Sequence, residues 1–281
     1  MIYVLGMSHA INVLKAAASG DFGLTHENWS GLNSGEQFFA LPAKPELVPD
    51  GSLRAFIISP ATGWGSVAEM KGGDGGQKHV VAVEGYVRLL ESLSQTGPED
   101  ILFSFVHGNE HSILSLVQHA NPYDFFEPWD AQSSLEPGTQ PLPFEIVQRQ
   151  MEKAINPSVA CLAMLRAKLP RLRVAHVMAP PPIESEEHIR NTPEVFRERL
   201  EQTGVTPLSI RLKYYRLAQR MLGESLAALG IDLLACPEEA VGPSGAIRDE
   251  YAFGATHGNE RYGELVLRRM VAMAGQRDKG G

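Results

Sequence analysis

Five short runs of almost unbroken apolar residues punctuate the chain: "IYVLG" (2–6), "RAFIISP" (54–60), "ILFSFV" (101–106), "VAHVMAP" (174–180) and "IDLLACP" (231–237). Runs of this length without polar alternation are expected where both faces of a strand are covered, as in a parallel sheet. Between them, apolar residues recur at helical spacing over 79–93, 144–155, 158–169, 209–229 and 261–274. In the last of these, Tyr262, Leu265, Val266 and Met270 share one face, with Arg268 and Arg269 turned elsewhere. Strand and helix in alternation predict an α/β fold, a three-layer α/β/α sandwich around a five-stranded, mainly parallel, flavodoxin-like sheet of order 2-1-3-4-5. One such sheet implies a single domain over residues 1–281.

Three stretches interrupt the rhythm, 19–53, 120–143 and 237–258. The first two read as irregular insertions. The middle one holds Tyr123, Phe125, Phe126 and Trp129 among several prolines, too apolar for a linker and too broken for a helix. It reads either as a wall beside a substrate or as a loop that packs its aromatics onto a helix.

Composition narrows the function. A formal net charge of −8, with 25 basic residues that form no long run, argues against nucleic acid as a partner. Cys161 and Cys236 are the only cysteines and suggest neither a disulfide framework nor a metal knuckle. "MIYVLGMSHA" lacks the features of a leader, and no stretch of about 18 apolar residues occurs. A cytoplasmic protein with no membrane partner is expected. Oligomeric state leaves no trace in the pattern.

Candidate chemistry sits in loops that follow strands, where open α/β sheets bind ligands. Ser8 in "GMSH" follows the first strand, as a helix cap or a nucleophile. Asn109 in "HGNEH" follows the third, where Gly108 permits a tight exit and the amide is either a cap or a donor to an oxyanion. His257 in "ATHGNERYG" stands just ahead of the last helix, placed to act as a general base if the loops converge.

The block His107-Gly108-Asn109-Glu110-His111 also spells H-x-x-E-H, in which two histidines one turn apart hold zinc and the glutamate activates water. That reading requires a helix from residue 107 onward, whereas Gly108 after a strand places the helix start at or beyond Asn109. A third ligand would have to come from the stretch of Glu184, Glu186, Glu187 and His188. No metal or other cofactor is expected.

Taken in order, the three loops resemble the SGNH hydrolases, the GDSL-type esterases and lipases. "GMSH" stands where that family has G-D-S, "HGNEH" resembles its G-x-N-D block, and "ATHGNERYG" resembles its D-x-x-H ending. The resemblance spans Ser8 to Gly263 and implies Ser8 as nucleophile, Asn109 as oxyanion donor and His257 as base. It implies hydrolysis or transfer of a carboxylic ester, with a small-molecule or carbohydrate ester such as an O-acetyl group as substrate. His9, Gly108 and Glu110 would then lie beside the reacting groups.

The chain departs from that pattern at residue 254, a glycine where the family has the aspartate that orients the histidine. Asp249 is the nearest upstream aspartate, and Glu250 competes with it. The glycine that completes the oxyanion hole is also open, between "TGWGS" (Gly63, Gly65) and "KGGDGGQKH" (Gly72, Gly73, Gly75, Gly76). The missing aspartate keeps a second function in view, a non-catalytic scaffold of the same fold that binds a small ligand or sugar.

Overall fold

The computed structural model describes residues 1–20, 37–49, 51–58, 67–73 and 77–276. Its centre is a six-stranded sheet of β1 (Ile2–Gly6), β2 (Gln37–Pro42), β3 (Ser52–Ile57), β4 (Ile101–Phe105), β5 (Arg173–Val177) and β6 (Asp232–Leu234). The strands lie in the order β6-β5-β4-β1-β3-β2. The five expected strands are all present, parallel, and in the flavodoxin-like order.

The sixth strand corrects the reading of 19–53 as irregular. β2 pairs antiparallel with β3 from Gln37↔Ile57 to Pro42↔Ser52. Pro42 ends it at the rim, where a missing N–H interrupts no ladder.

Eight α-helices are described: α1 (Ser8–Ala17), α2 (Glu84–Ser92), α3 (Glu110–Ser115), α4 (Phe144–Lys168), α5 (Glu186–Asn191), α6 (Arg197–Thr203), α7 (Leu208–Ala228) and α8 (Glu260–Gly275). Alternate strand residues feed the two faces. Val4, Phe103 and Val177 point to the side where Val13 and Leu14 of α1 meet Val266, Leu267 and Met270 of α8. Leu5, Leu102 and Val174 point to the other, against Leu89 and Leu90 of α2, Cys161 and Leu165 of α4 and Leu226 of α7. Burying a Leu or Phe at such positions is worth roughly 1.5–3 kcal/mol each, and this is what fixes strand register.

Two helical expectations need correction. The segments 144–155 and 158–169 form one helix, α4, which continues through Pro157. An interior proline costs about 3 kcal/mol, offset here by burial of Ile155, Ser158, Ala160, Cys161 and Leu162 around it. Asn156 docks an antiparallel ribbon, Ala68–Gly72 with Lys78–Ala82, by bonding both the N–H and the carbonyl of Met70 (2.8 and 3.1 Å). The start of the 79–93 segment belongs to that ribbon, and α2 begins only at Glu84.

The 120–143 stretch is fastened to α7. Lys213 Nζ, buried, donates to Asp124 Oδ2 (2.7 Å) and to the carbonyls of Phe125 (2.9 Å) and Ser134 (2.6 Å). Arg216 pairs with the buried Glu127 through two bonds. Phe125 meets Tyr214 edge-on at 5.3 Å. Phe125 and Trp129 thus pack against α7 and α4, as the second reading has it, while Phe126 is exposed.

Candidate functional site

The loops after β1 and β4 lie side by side because their strands pair directly, Gly6 opposite Phe105. Ser8 is the first residue of α1. The residue ahead of it, Met7, occupies the cap position and makes no side-chain cap bond. The Ser8 hydroxyl is therefore not spent on capping, and Oγ lies 3.0 Å from Nε2 of His257.

His257 reaches that position on a short hairpin, Ala252–Phe253 against His257–Gly258. The hairpin is anchored from both ends. Asn259 caps α8 by accepting from Tyr262 N–H (3.2 Å) and donates to the Glu250 carbonyl (2.8 Å). Asn12, one turn along α1 from Ser8, donates to the Gly258 carbonyl at 2.7 Å. Nucleophile and base are thus held by the same helix.

Asn109 arrives by a tight turn. His107 and Gly108 adopt φ of +61° and +108°, and a Cβ at Gly108 would stand 3.0 Å from the His9 ring. Asn109 holds the cap position of α3, yet its side chain makes no cap bond. Its Oδ1 instead accepts from His9 Nε2 at 2.9 Å. An oxygen can only accept, so the His9 proton is assigned to Nε2 and the Asn109 Nδ2 donors are turned away from His9.

His9 stays neutral. Desolvation, then the neighbouring His257, hold it well below the ordinary histidine range, against the opposing bond to Asn109. Its ring lies 4.4 Å from that of His257, at 32°. The structure therefore brings together Ser8, His9, Gly108, Asn109 and His257.

The carboxylates are arranged differently from expectation. Asp249 opens a 3₁₀ turn, Asp249–Tyr251, exposed and without contact to the imidazole among the described residues. The group facing His257 Nδ1 is Glu194, whose Oε1 lies 3.6 Å away, at ion-pair distance. Thr256 Oγ1 is 3.2 Å from the same nitrogen. Desolvation raises the Glu194 carboxyl, but His257 and the Ala255 N–H outweigh it, and the net direction is downward.

The zinc arrangement does not form. α3 begins at Glu110, so His107 lies outside it and shares no helix face with His111. Glu110 is buried and accepts from the Ser158 hydroxyl, with its pKa raised by burial. His111 meets Tyr215 edge-on at 5.1 Å, and burial pushes it down to about 3. His107 Nε2 is buried without a partner, its pKa lowered by burial to about 4. Among the described residues no three such side chains converge as a ligand set. Glu110 is buried beneath the turn that carries Asn109, where the Gly108 backbone also favours its carboxylate.

The oxyanion glycine is narrowed. The Gly73 N–H is committed to the Gln77 carbonyl at 2.6 Å. Gly63, Gly65, Gly75 and Gly76 lie outside the described residues. Sequence reasoning missed Glu194, Thr256 and the bond from His9 to Asn109. The signal available for the first was the glycine at 254.

No family model and no curated protein matches the chain. Solved structures similar to it include a GDSL-like lipase from Bacteroides thetaiotaomicron (9% identity, TM-score 0.46, covering 97% of this chain and 88% of that one). Others are the periplasmic domain of a lipopolysaccharide acetyltransferase from Salmonella ser. Paratyphi A (8%, 0.45, 97% and 82%) and Est24, a carbohydrate acetylesterase from Sinorhizobium meliloti (11%, 0.37, 97% and 97%). At such identities the chemistry has to be read from the side chains of this chain. Among the described residues no helix is long and apolar enough to cross a membrane.

Proposed function

We propose that this chain is a serine-dependent carboxylic ester hydrolase or acyl transferase of the SGNH type. The observation that carries the reading is the 3.0 Å approach of Ser8 Oγ to His257 Nε2 across the whole length of the chain. In this reading Nε2 takes the hydroxyl proton as Oγ attacks the ester carbonyl. The tetrahedral oxyanion is met by Asn109 Nδ2 and by the Ser8 backbone N–H, one of the unpaired donors of the first turn of α1. The proton returns to the leaving alcohol, and an ester bond to Ser8 remains. Water, or an acceptor alcohol in a transferase, then attacks that bond and regenerates the serine.

His9 gives this scheme its geometry. By accepting the His9 proton, Oδ1 leaves Nδ2 as the only part of the Asn109 amide able to face the oxyanion. A neutral ring beside His257 also adds no charge against the imidazolium that forms during attack. Substrate trials begin with short-chain acyl esters, including O-acetyl sugars.

The test needs no knowledge of the substrate. Intact protein is treated with a fluorophosphonate and mapped by peptide mass, beside Ser8→Ala, and both are assayed on p-nitrophenyl esters. One adduct per chain at Ser8, with turnover lost in Ser8→Ala and unaffected by chelator, is the expected result. An unmodified Ser8, or turnover that survives Ser8→Ala, overturns the reading.

A further inference from the structure

The acid that orients His257 is missing from the hairpin that carries the histidine, and Gly254 leaves a gap there. Gly254 sits in the hairpin turn at φ +58°. A Cβ on it would run into the carboxylate of Glu194. The space nearest the hairpin's own candidate position is filled by a carboxylate delivered from another part of the chain.

That delivery is elaborately held. Ser185 caps α5 by accepting from His188 N–H at 3.1 Å. His188 Nε2 and Thr192 Oγ1 then both donate to the Gly254 carbonyl, at 3.0 and 3.1 Å. Glu194 Oε2 accepts from the next N–H, Ala255, at 3.0 Å. Glu194 itself has φ +50°. For a residue other than glycine this costs on the order of 1–2 kcal/mol and persists only where surrounding contacts impose it.

We propose that Glu194 is the positioning carboxylate of His257, supplied from a distant part of the same chain by the 188–194 segment, and that residue 254 is glycine because that carboxylate occupies its side-chain space. The inference rests on the proposed esterase reading for its catalytic consequence. In each cycle the proton on Nδ1 stays on the ring. Glu194 fixes the tautomer that leaves Nε2 free to accept from Ser8, and it stabilises the imidazolium after transfer. Thr256 accepts from the same Nδ1–H but carries no charge, so it can share the orienting role without the stabilising one.

The test uses Glu194→Gln, Glu194→Ala and the double variant Glu194→Ala/Gly254→Asp in the full chain, with thermal melts to verify folding. Three quantities are read: the rate of fluorophosphonate labelling at Ser8, kcat and KM on a p-nitrophenyl ester, and the His257 titration by NMR. Glu194→Gln is expected to lower kcat and labelling on the order of 10²- to 10³-fold with KM little changed. The acid limb of its rate profile should move to lower pH, because the lost carboxylate no longer favours the imidazolium. Aspartate tolerates the left-handed backbone of residue 254 better than most side chains, so the double variant should recover at least about tenfold over Glu194→Ala.

A His257 titration unmoved by Glu194→Gln in a folded protein overturns the proposal, whatever the activity. So does a wild-type labelling rate in Glu194→Ala. If wild-type protein takes no label while Glu194→Gln still shifts His257, the ion pair stands and the esterase reading fails.

Discussion

Replacing Asn109 by aspartate separates its two roles more cleanly than replacing it by alanine. The aspartate keeps an oxygen for the His9 Nε2–H, which the native Oδ1 accepts at 2.9 Å, but it has no N–H to offer an oxyanion. Alanine loses both, leaving a partly buried imidazole donor unpaired at a cost of about 1–3 kcal/mol of stability. Neither change disturbs a helix cap, because the native side chain makes no cap bond. In the transition state, removing one preorganised donor costs about 2.7–4 kcal/mol, a fall of roughly 10²–10³ in kcat. Asn109→Asp should fall at least that far, since a carboxylate there also repels the developing negative charge. The assay is kcat and KM on a p-nitrophenyl ester, paired with urea denaturation. The expected signature is a stable protein with intact KM and collapsed kcat for Asn109→Asp, and a less stable one for Asn109→Ala. If Asn109→Asp keeps more than about a tenth of wild-type kcat, Asn109 is not an oxyanion donor.

Other outcomes follow from the same coordinates. His107 and His176 are lowered by burial to about 4 and His111 to about 3, so each takes up its proton in the unfolded chain before the folded one. Stability present at pH 7 should therefore be lost as pH falls below about 6.5, by up to ~1.4 kcal/mol per pH unit for each histidine, until the folded values are reached; a thermal midpoint that stays flat from pH 7 to pH 5 would contradict this. Lys213→Met should destabilise by about 3–5 kcal/mol by leaving Asp124 charged and buried, and adding Asp124→Asn should restore part of the loss, measured by a urea double-mutant cycle. A Cβ at Gly263 would lie 2.8 Å from the Val13 backbone nitrogen, so Gly263→Ala should cost about 1–3 kcal/mol by forcing α1 from α8, measured by urea denaturation.

Much of this architecture was legible because burial on both faces leaves a plain mark, and all five continuous apolar runs became parallel strands. β2 left no such mark, since "QFFALP" ends in proline and belongs to a stretch with no clear period. Pro157 misled in the opposite direction: tertiary packing around α4 overrides a local breaker. Ser8, Asn109 and His257 could be picked out because each follows a strand or precedes a helix, so position along the chain maps onto position at the sheet. Glu194 could not. It is one acid in a stretch that also contains Glu184, Glu186, Glu187, Glu198 and Glu201, and only a left-handed backbone and a fold-level contact distinguish it. The glycine at 254 favours a scaffold without catalysis only where no other acid faces His257, and Glu194 Oε1 stands 3.6 Å from its Nδ1.

One helix serves as the common reference for the whole site. α1 carries Ser8 directly, reaches Asn109 through His9, and reaches the His257 hairpin through Asn12. If α1 slides or tilts against the sheet, both partners are drawn along with it, so their positional errors are correlated and the separations between reacting atoms change less than the helix moves. The site is in this sense a tethered cassette at the carboxyl ends of β1 and β4. Exchanging side chains beneath α1 should therefore be tolerated far better than exchanging any of the three polar residues along it, a distinction that a saturation library scored by Ser8 labelling would display directly.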